Sequence, residues 1–445
     1  RLREEFDISG ELVNVRNNVG DTHKGQKQVL ILEFEMGKAV YKPRNLGVDR
    51  AFEDLVIYIN KNLKTNLQTA KSISCGEYGW QEYIQYTECE NENEIREYYK
   101  NIGIYSCILY VLMASDMHME NIIAHGKYPI FIDLESLFQG YKGISYEKGY
   151  SYEKILGMIR DSVLATSLFP GIISMKNSRD ISGITGCGQQ KVPKALYAFE
   201  NLYTADMRIV RKDYIMQDKK NIPQIKGQKI NPREYVDEIV DGFCNTYDFI
   251  QNNKDDFLKS NGILESFYNS PVRTILRDTA NYGTLLKAST ETGYMSDASK
   301  REQLFDRLWY IAQEMNNFEL VIPYEIRDMI NGDIPYFSST INNRKIYDSY
   351  GNEIGIYYKN TIADEIKNKI LNMCDSDKRM QIDFIRKSLA QPIKRWELKE
   401  TKKNYDIDLS SYEEITNEEL VRKVYDIVNT IEKMASYGED GKDIG

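Results

Sequence analysis

The first hundred residues switch between two hydrophobic periods. Leu12-Val13-Asn14-Val15, Val29 to Phe34 and Ala39-Val40-Tyr41-Lys42 are short apolar runs, punctuated at Gly20-Asp21 and Gly37 and closed by Pro43. Such runs predict antiparallel strands. Over about 48–64 the period becomes helical, with Phe52, Leu55, Val56 and Ile59 on one face. Residues 79–87 predict a strand, and 92–114 a longer helix with Ile95, Ile102, Leu109 and Leu112 inward. Residues 138–230 are rich in Gly, Ser, Asp and Pro and read as long loops between short helices. Helix returns at 232–260, with Tyr235, Ile239, Phe243 and Phe249 expected inside, and again near 299–316, 362–374 and 380–391. A final helix, opened by the capping box Thr416-x-x-Glu419, is expected to run to about Ala435.

The chemistry concentrates between Ser115 and Leu137. Asp116 and Asn121 share a polar loop, a short apolar run leads to Gly126 and Pro129 as turn markers, and Ile130-Phe131-Ile132 ends on Asp133. A loop, a hairpin and a carboxylate at a strand end is the layout kinases need. One Asp orients and deprotonates a hydroxyl, while an Asn and a second Asp hold Mg2+ on the phosphates of ATP. Asn and Asp oxygens are hard ligands that suit magnesium and not zinc. On this reading Asp116 is the base, Asn121 and Asp133 are metal ligands, and His118 is near enough to reach the γ-phosphate. Glu135 either ligates metal or orients His118 or Lys42, and His125 is structural. Lys42 stands where a nucleotide-pairing lysine belongs, with Glu53 or Asp54 as its expected helical partner. Backbone N–H groups around Gly20 and Gly25 lie where a phosphate-covering loop belongs, although the stretch is not Gly-x-Gly-x-x-Gly. The plain alternative is a hairpin whose acids cap turns beside an ordinary edge-strand lysine. Arg273, Arg277 and Thr279 form a second cluster suited to phosphate. Its place outside the kinase-like motif hints at chemistry on a phosphorylated product.

Composition narrows the partners. A net charge of −9 over 445 residues argues against a nucleic-acid-binding surface. No apolar run of membrane-spanning length occurs, and no charged-then-apolar leader opens the chain. The six cysteines are scattered without a Cys-x-x-Cys, as expected for reduced thiols in a cytoplasm. With 3 histidines, a His-rich zinc site is not expected. The 33 tyrosines read as core and groove packing. The chain opens on Arg1 and closes on a linker-like tail, as expected of a piece of a longer polypeptide.

The element order predicts an α+β chain with a kinase-like core. A β-rich N-lobe covers 1–90, a C-lobe with the catalytic and metal loops 91–260, a further helical region 261–436, and a truncated linker 437–445. Several motifs together resemble the dehydratase domain of class II (LanM-type) lanthipeptide synthetases. They are Gly20-Asp21-Thr22-His23, Tyr41-Lys42-Pro43-Arg44, Gly79-Trp80, Asp116-x-His118-x-x-Asn121, Ile132-Asp133-Leu134-Glu135, Asp180-Ile-Ser-Gly183, Asn221-Ile-Pro223, the Arg273/Thr279 pair and Gly332-Asp-Ile-Pro-Tyr-Phe337. The resemblance implies a lipid-kinase-like core that phosphorylates Ser and Thr of a leader-bearing precursor peptide with ATP and Mg2+. Phosphate is then eliminated to leave dehydroalanine or dehydrobutyrine. By that resemblance Lys42, Asp116, His118, Asn121, Asp133 and Glu135 belong to phosphorylation, and Arg273 and Thr279 to elimination. Asp21 and His23 belong to the site without a firm role. It further implies a C-terminal zinc cyclase domain in the full chain, which this sequence lacks. The rivals are a plain lipid or small-molecule kinase and a non-catalytic pseudokinase that binds nucleotide or peptide.

Overall fold

In the computed structural model the described residues are 2–140, 157–171, 180–186, 188, 190, 196–201, 204–312 and 317–390. They form helices and small antiparallel sheets, an α+β architecture. The chain divides into two compact units, residues 1–144 with 162–391, and 145–161 with 392–445. The smaller unit is described only at 157–161, where the Asp161 N–H closes a helical turn onto the Gly157 carbonyl at 2.9 Å. The expected helix near 416–435 lies outside the described residues.

The larger unit opens with a five-stranded sheet of strands β1 (Ser9–His23), β2 (Lys27–Met36), β3 (Lys38–Lys42), β4 (Ser72–Ser74) and β5 (Gly79–Glu82) in the order β1-β2-β3-β5-β4. β1 runs past Gly20, where a turn was expected. Gly20 takes φ +99° at an irregularity in the β1–β2 register, and the turn itself is Lys24-Gly25-Gln26. Helix α1 (Gly47–Leu63) buries Phe52, Leu55, Val56 and Ile59, the face its period predicts.

Helix α2 (Glu92–Val111) starts at an Asn91 side chain that accepts the Glu94 N–H at 3.2 Å. It ends before the expected residue 114, because Met113 turns left-handed at φ +50°. From Ile102 onward its residues are buried on every side. Two of its tyrosines carry their hydroxyls into the interior by donating to backbone carbonyls: Tyr98 to Asn221 at 2.8 Å and Tyr105 to Gln68 at 2.6 Å. Against it lies α3 (Val236–Asn252), where Phe243 is buried and Phe249 only partly so. The two helices approach so closely that a Cβ at Gly103 would meet the Ile239 carbonyl, and one at Gly242 the Lys100 carbonyl.

After α2 the chain makes the hairpin β6 (Ile122–His125) and β7 (Tyr128–Phe131), turning at Gly126 as expected. Two further hairpins follow, β8 (Leu196–Glu200) with β9 (Arg208–Lys212), and β10 (Gln224–Ile225) with β11 (Gln228–Lys229). A four-stranded sheet then joins β12 (Pro271–Thr274), β13 (Phe337–Thr340), β14 (Lys345–Tyr347) and β15 (Glu353–Ile356). Between β12 and β13 stand α4 (Thr279–Ser289), α5 (Ala298–Phe305) and α6 (Ile322–Ile330). The helix expected over 299–316 stops at Phe305, where a 3-10 turn, Asp306–Leu308, bends the chain. Helices α7 (Ile362–Asn372) and α8 (Asp375–Ala390) close the unit, α8 starting five residues ahead of its expected bound.

Among the described residues no helix is long and apolar enough to cross a membrane. Replacing Gly103 by Ala is expected to destabilise the protein by about 1–3 kcal/mol through overpacking. In an open helix position the same change would stabilise by about 0.5–1 kcal/mol. Urea denaturation of the Gly103→Ala variant reads the sign.

Candidate active site

The loop after α2 owes its shape to an alternation in Asp116-Met-His-Met-Glu120. Met117 and Met119 are fully buried, which turns Asp116, His118 and Glu120 to the other side, where all three line a cleft of about 1900 Å³. Backbone bonds hold this loop, Met117 N–H to the Thr166 carbonyl at 2.8 Å and Met119 N–H to the Ile181 carbonyl at 2.9 Å. Asp116 sits at φ +63°, a conformation costly to a residue with a side chain. Asn121 steadies it by donating Nδ2–H to the Asp116 carbonyl at 2.8 Å. The His118 Nδ1 accepts the Glu120 N–H at 3.1 Å, so its proton belongs on Nε2, 3.6 Å from Asp116 Oδ1. Burial raises the Asp116 pKa above the usual aspartate value, with Asp133 and Glu135 adding to the rise against His118 and Arg273.

The hairpin carries Asn121 and Asp133 at its open end, where the Ile132 N–H donates to the Asn121 carbonyl at 3.0 Å. Beneath them lies a network of charges. Arg44 donates to Asp49 at 2.7 Å and to Asp133 at 3.0 Å, and its Nε lies 3.4 Å from Glu135. Arg273 meets the other Glu135 oxygen at 2.5 Å. Lys42 donates to the Ile132 carbonyl, with its Nζ 3.8 Å from Asp133. Burial alone would push the Asp133 carboxyl up, but Lys42 and Arg44 outweigh it and hold the pKa at about 2. Burial draws the Lys42 pKa down despite Asp133 beside it. For Arg273, Glu135 overcomes the burial and raises the pKa.

A third element is the β1–β2 turn, fastened to the segment before β13. Asp333 accepts the Gly25 N–H at 2.7 Å and the Gln26 N–H at 2.8 Å. The His23 Nδ1–H donates to the Ile334 carbonyl at 2.7 Å. Burial, then Arg273, lowers the His23 pKa below the ordinary histidine value. Tyr336 packs edge-on to His23, with centroids 5.5 Å apart. Lys24 Nζ lies 4.1 Å and Arg273 Cζ 5.3 Å from its ring centre.

The cleft thus brings together Gly20, Asp21, His23, Lys42, Asp116, His118, Asn121, Asp133, Glu135, Arg273 and Thr279. Gly25 is not in its lining, and its N–H is taken by Asp333 and so is not the open phosphate donor expected of it. Neither Glu53 nor Asp54 pairs with Lys42: Glu53 binds Arg50 at 3.0 Å and Asp54 is exposed. The carboxylate α1 sends to the site is Asp49, through Arg44. Arg277 departs from the expected phosphate cluster. It turns inward to the buried Glu325 at 2.8 Å, which Tyr282 also meets. His125 donates to the Gln85 carbonyl at 2.7 Å, a structural contact as expected. Residue-by-residue reading gave Arg44, Asp49, Lys24, Asp333 and Tyr336 no role. The signal for Arg44 was its place two residues after Lys42, and for Asp333 and Tyr336 their shared stretch Asp333-Ile-Pro-Tyr336.

The donor set suits magnesium. Asn121 Oδ1 and Asp133 Oδ2 are hard oxygens left over by the bonds above, and magnesium takes few protein ligands beside water and phosphate. Among the described residues no three His, Cys, Asp or Glu side chains converge as a metal cage.

Fold and cleft together define an α+β domain built around a cation-rich, carboxylate-lined site, and the chain belongs to the family described as a domain of unknown function, DUF4135, which matches residues 1–340. It is also similar to the lacticin 481/lactococcin biosynthesis protein LcnDR2 of Lactococcus lactis subsp. lactis, at 29% identity over 388 residues, 83% of this chain and 40% of that protein. The chain therefore spans less than half the length of that relative. Both findings support a LanM-type dehydratase domain.

Replacing Arg44 by Met strands Asp49, whose side chain is 1% exposed, without its cation. The variant is expected to lose about 3–5 kcal/mol of stability in a denaturant titration.

Proposed function

We propose that this domain dehydrates Ser and Thr residues of a ribosomal precursor peptide in two steps on a kinase-like core. The observation that carries the reading is Glu135, which joins the two sets of groups. One of its oxygens faces Arg44, and through it Asp133, while the other binds Arg273. The similarity to a lacticin 481 biosynthesis protein supports a peptide substrate.

In the first step the substrate hydroxyl oxygen attacks the γ-phosphorus of ATP, the bond to the β-phosphate oxygen breaks, and the hydroxyl proton passes to Asp116. The raised Asp116 pKa favours that acceptance. His118, with Nε2–H toward Asp116, steadies the carboxylate. Asn121 and Asp133 would hold magnesium, which when bound neutralises developing phosphate charge. Lys42, anchored on the Ile132 carbonyl beside Asp133, would face the nucleotide phosphates.

In the second step a base takes the proton on Cα, the Cβ–Oγ bond breaks, and inorganic phosphate leaves with the bonding pair as the Cα=Cβ bond forms. His23 fits that base. Its Nδ1 proton is committed to the Ile334 carbonyl, so Nε2 is the free acceptor, and its lowered pKa keeps it neutral near pH 7. The Asp21 charge favours the imidazolium once the proton arrives. Arg273 has only Nη1 engaged by Glu135, and the rest of its guanidinium, with the Thr279 hydroxyl at the start of α4, would take the leaving phosphate.

Mass spectrometry of a Ser/Thr-rich precursor incubated with protein and Mg-ATP tests this. The native protein is expected to remove one water per modified residue. Asp116→Asn should abolish phosphorylation and dehydration together, while Arg273→Ala and Thr279→Ala should accumulate phosphopeptide. Undiminished dehydration in the last two variants would remove them from elimination.

A pH profile adds a second check. Elimination from a pre-phosphorylated peptide should stay flat through neutrality. It should be lost only as pH falls below the ordinary histidine range, through the depressed His23 pKa. A rise in rate on acidification would exclude His23 as the base.

A further inference from the structure

The turn joining β1 to β2 is held in a conformation its residues do not favour. Lys24, Gly25 and Gln26 are three consecutive left-handed residues, at φ +53°, +80° and +61°, and only one of them is glycine. Beyond the closing strand pair His23 and Lys27, the turn has a restraint from outside its own hairpin. It comes from Asp333, far along the chain and 2% exposed, whose two carboxylate oxygens each accept one backbone N–H, from Gly25 and Gln26. The residue after Asp333 completes the clamp. Ile334 donates its N–H to the Thr22 carbonyl at 3.0 Å and accepts the His23 Nδ1–H at its own carbonyl. Asp333 itself is absent from the cleft lining, although Ile334 beside it is part of that lining.

We propose that Asp333 is the positioning residue of the elimination step: by clamping the left-handed turn it holds the His23 ring against the Ile334 carbonyl and so keeps Nε2 as the proton acceptor. The inference rests on the role given to His23 under the proposed function. It assigns nothing to phosphorylation, because Lys42, Asp116, Asn121 and Asp133 are held by other elements.

The test uses the full chain carrying Asp333→Asn, alone and combined with Gln26→Gly. The amide of Asn can accept only one of the two N–H groups and turns its own NH2 toward the other. Glycine at position 26 removes the side-chain penalty of the left-handed turn. Two readouts are taken. One is phosphorylation and elimination measured separately, the latter on pre-phosphorylated precursor peptide. The other is the imidazole ¹⁵N spectrum, which 3 histidines keep assignable. The single variant is expected to phosphorylate at the native rate, to eliminate about 10- to 100-fold more slowly, and to show His23 as a tautomer mixture in place of Nδ1–H alone. The double variant should recover elimination and the single tautomer.

Native elimination with an unchanged His23 spectrum in Asp333→Asn would overturn the proposal. So would an equal loss of both activities, or a double variant that recovers neither signal. If the native protein leaves the phosphorylated peptide intact, the proposed function fails instead, and the tautomer readout still decides whether Asp333 holds the turn.

Discussion

Lys42, Arg44 and Arg273 meet Asp49, Asp133 and Glu135 at the base of one cleft, and the rest of the site hangs from that balance of charge. Buried ions are tolerated only when each finds a partner, and removing one leaves another stranded. Here the partners come from the end of β3, the first turn of α1, the strand end after β7, and β12. The cluster forms only once the N-terminal sheet, its helix, the central hairpin and the second sheet are all in place. Arg44 is the hinge of the arrangement, because among the described residues its guanidinium alone touches a carboxylate from α1 and two from the segment after β7.

A balanced network also has spare capacity. Among the described residues, Asp133 Oδ2, Asn121 Oδ1 and most of the Arg273 guanidinium are left over after the internal bonds are made. On the proposed function, a nucleotide with its magnesium would add charge of both signs, which such a floor would accommodate without first breaking a pair. Costly backbone is placed accordingly. Asp116 and the Lys24–Gln26 turn are left-handed, and each is held by a distant side chain or by a neighbour's amide.

Local pattern made the N-terminal strands, α1, α2 and the β6–β7 hairpin legible, because each is long enough or regular enough for one period to dominate. The sheet β12–β15 was not read, since its strands are 3–4 residues long and β12 meets β13 across more than sixty residues of chain. Lys42, Asp116, Asn121 and Asp133 could be named from spacing. Their supports could not: Asp333 is 307 positions from Gln26, and the pairing of Arg44 with Asp49 instead of a Glu53 or Asp54 contact with Lys42 depends on which way α1 rotates. Arg277 misled for the same reason, because a guanidinium in a basic stretch does not announce a buried glutamate 48 residues away.

The central claim is that this cleft holds a nucleotide–metal pair over the same floor that later releases phosphate. The most direct measurement is a crystal structure of the full chain with a non-hydrolysable ATP analogue and manganese, located by its anomalous signal. The account predicts manganese between Asn121 and Asp133, with the terminal phosphate near Asp116. Manganese bound away from both side chains, or nucleotide outside this cleft, would contradict it.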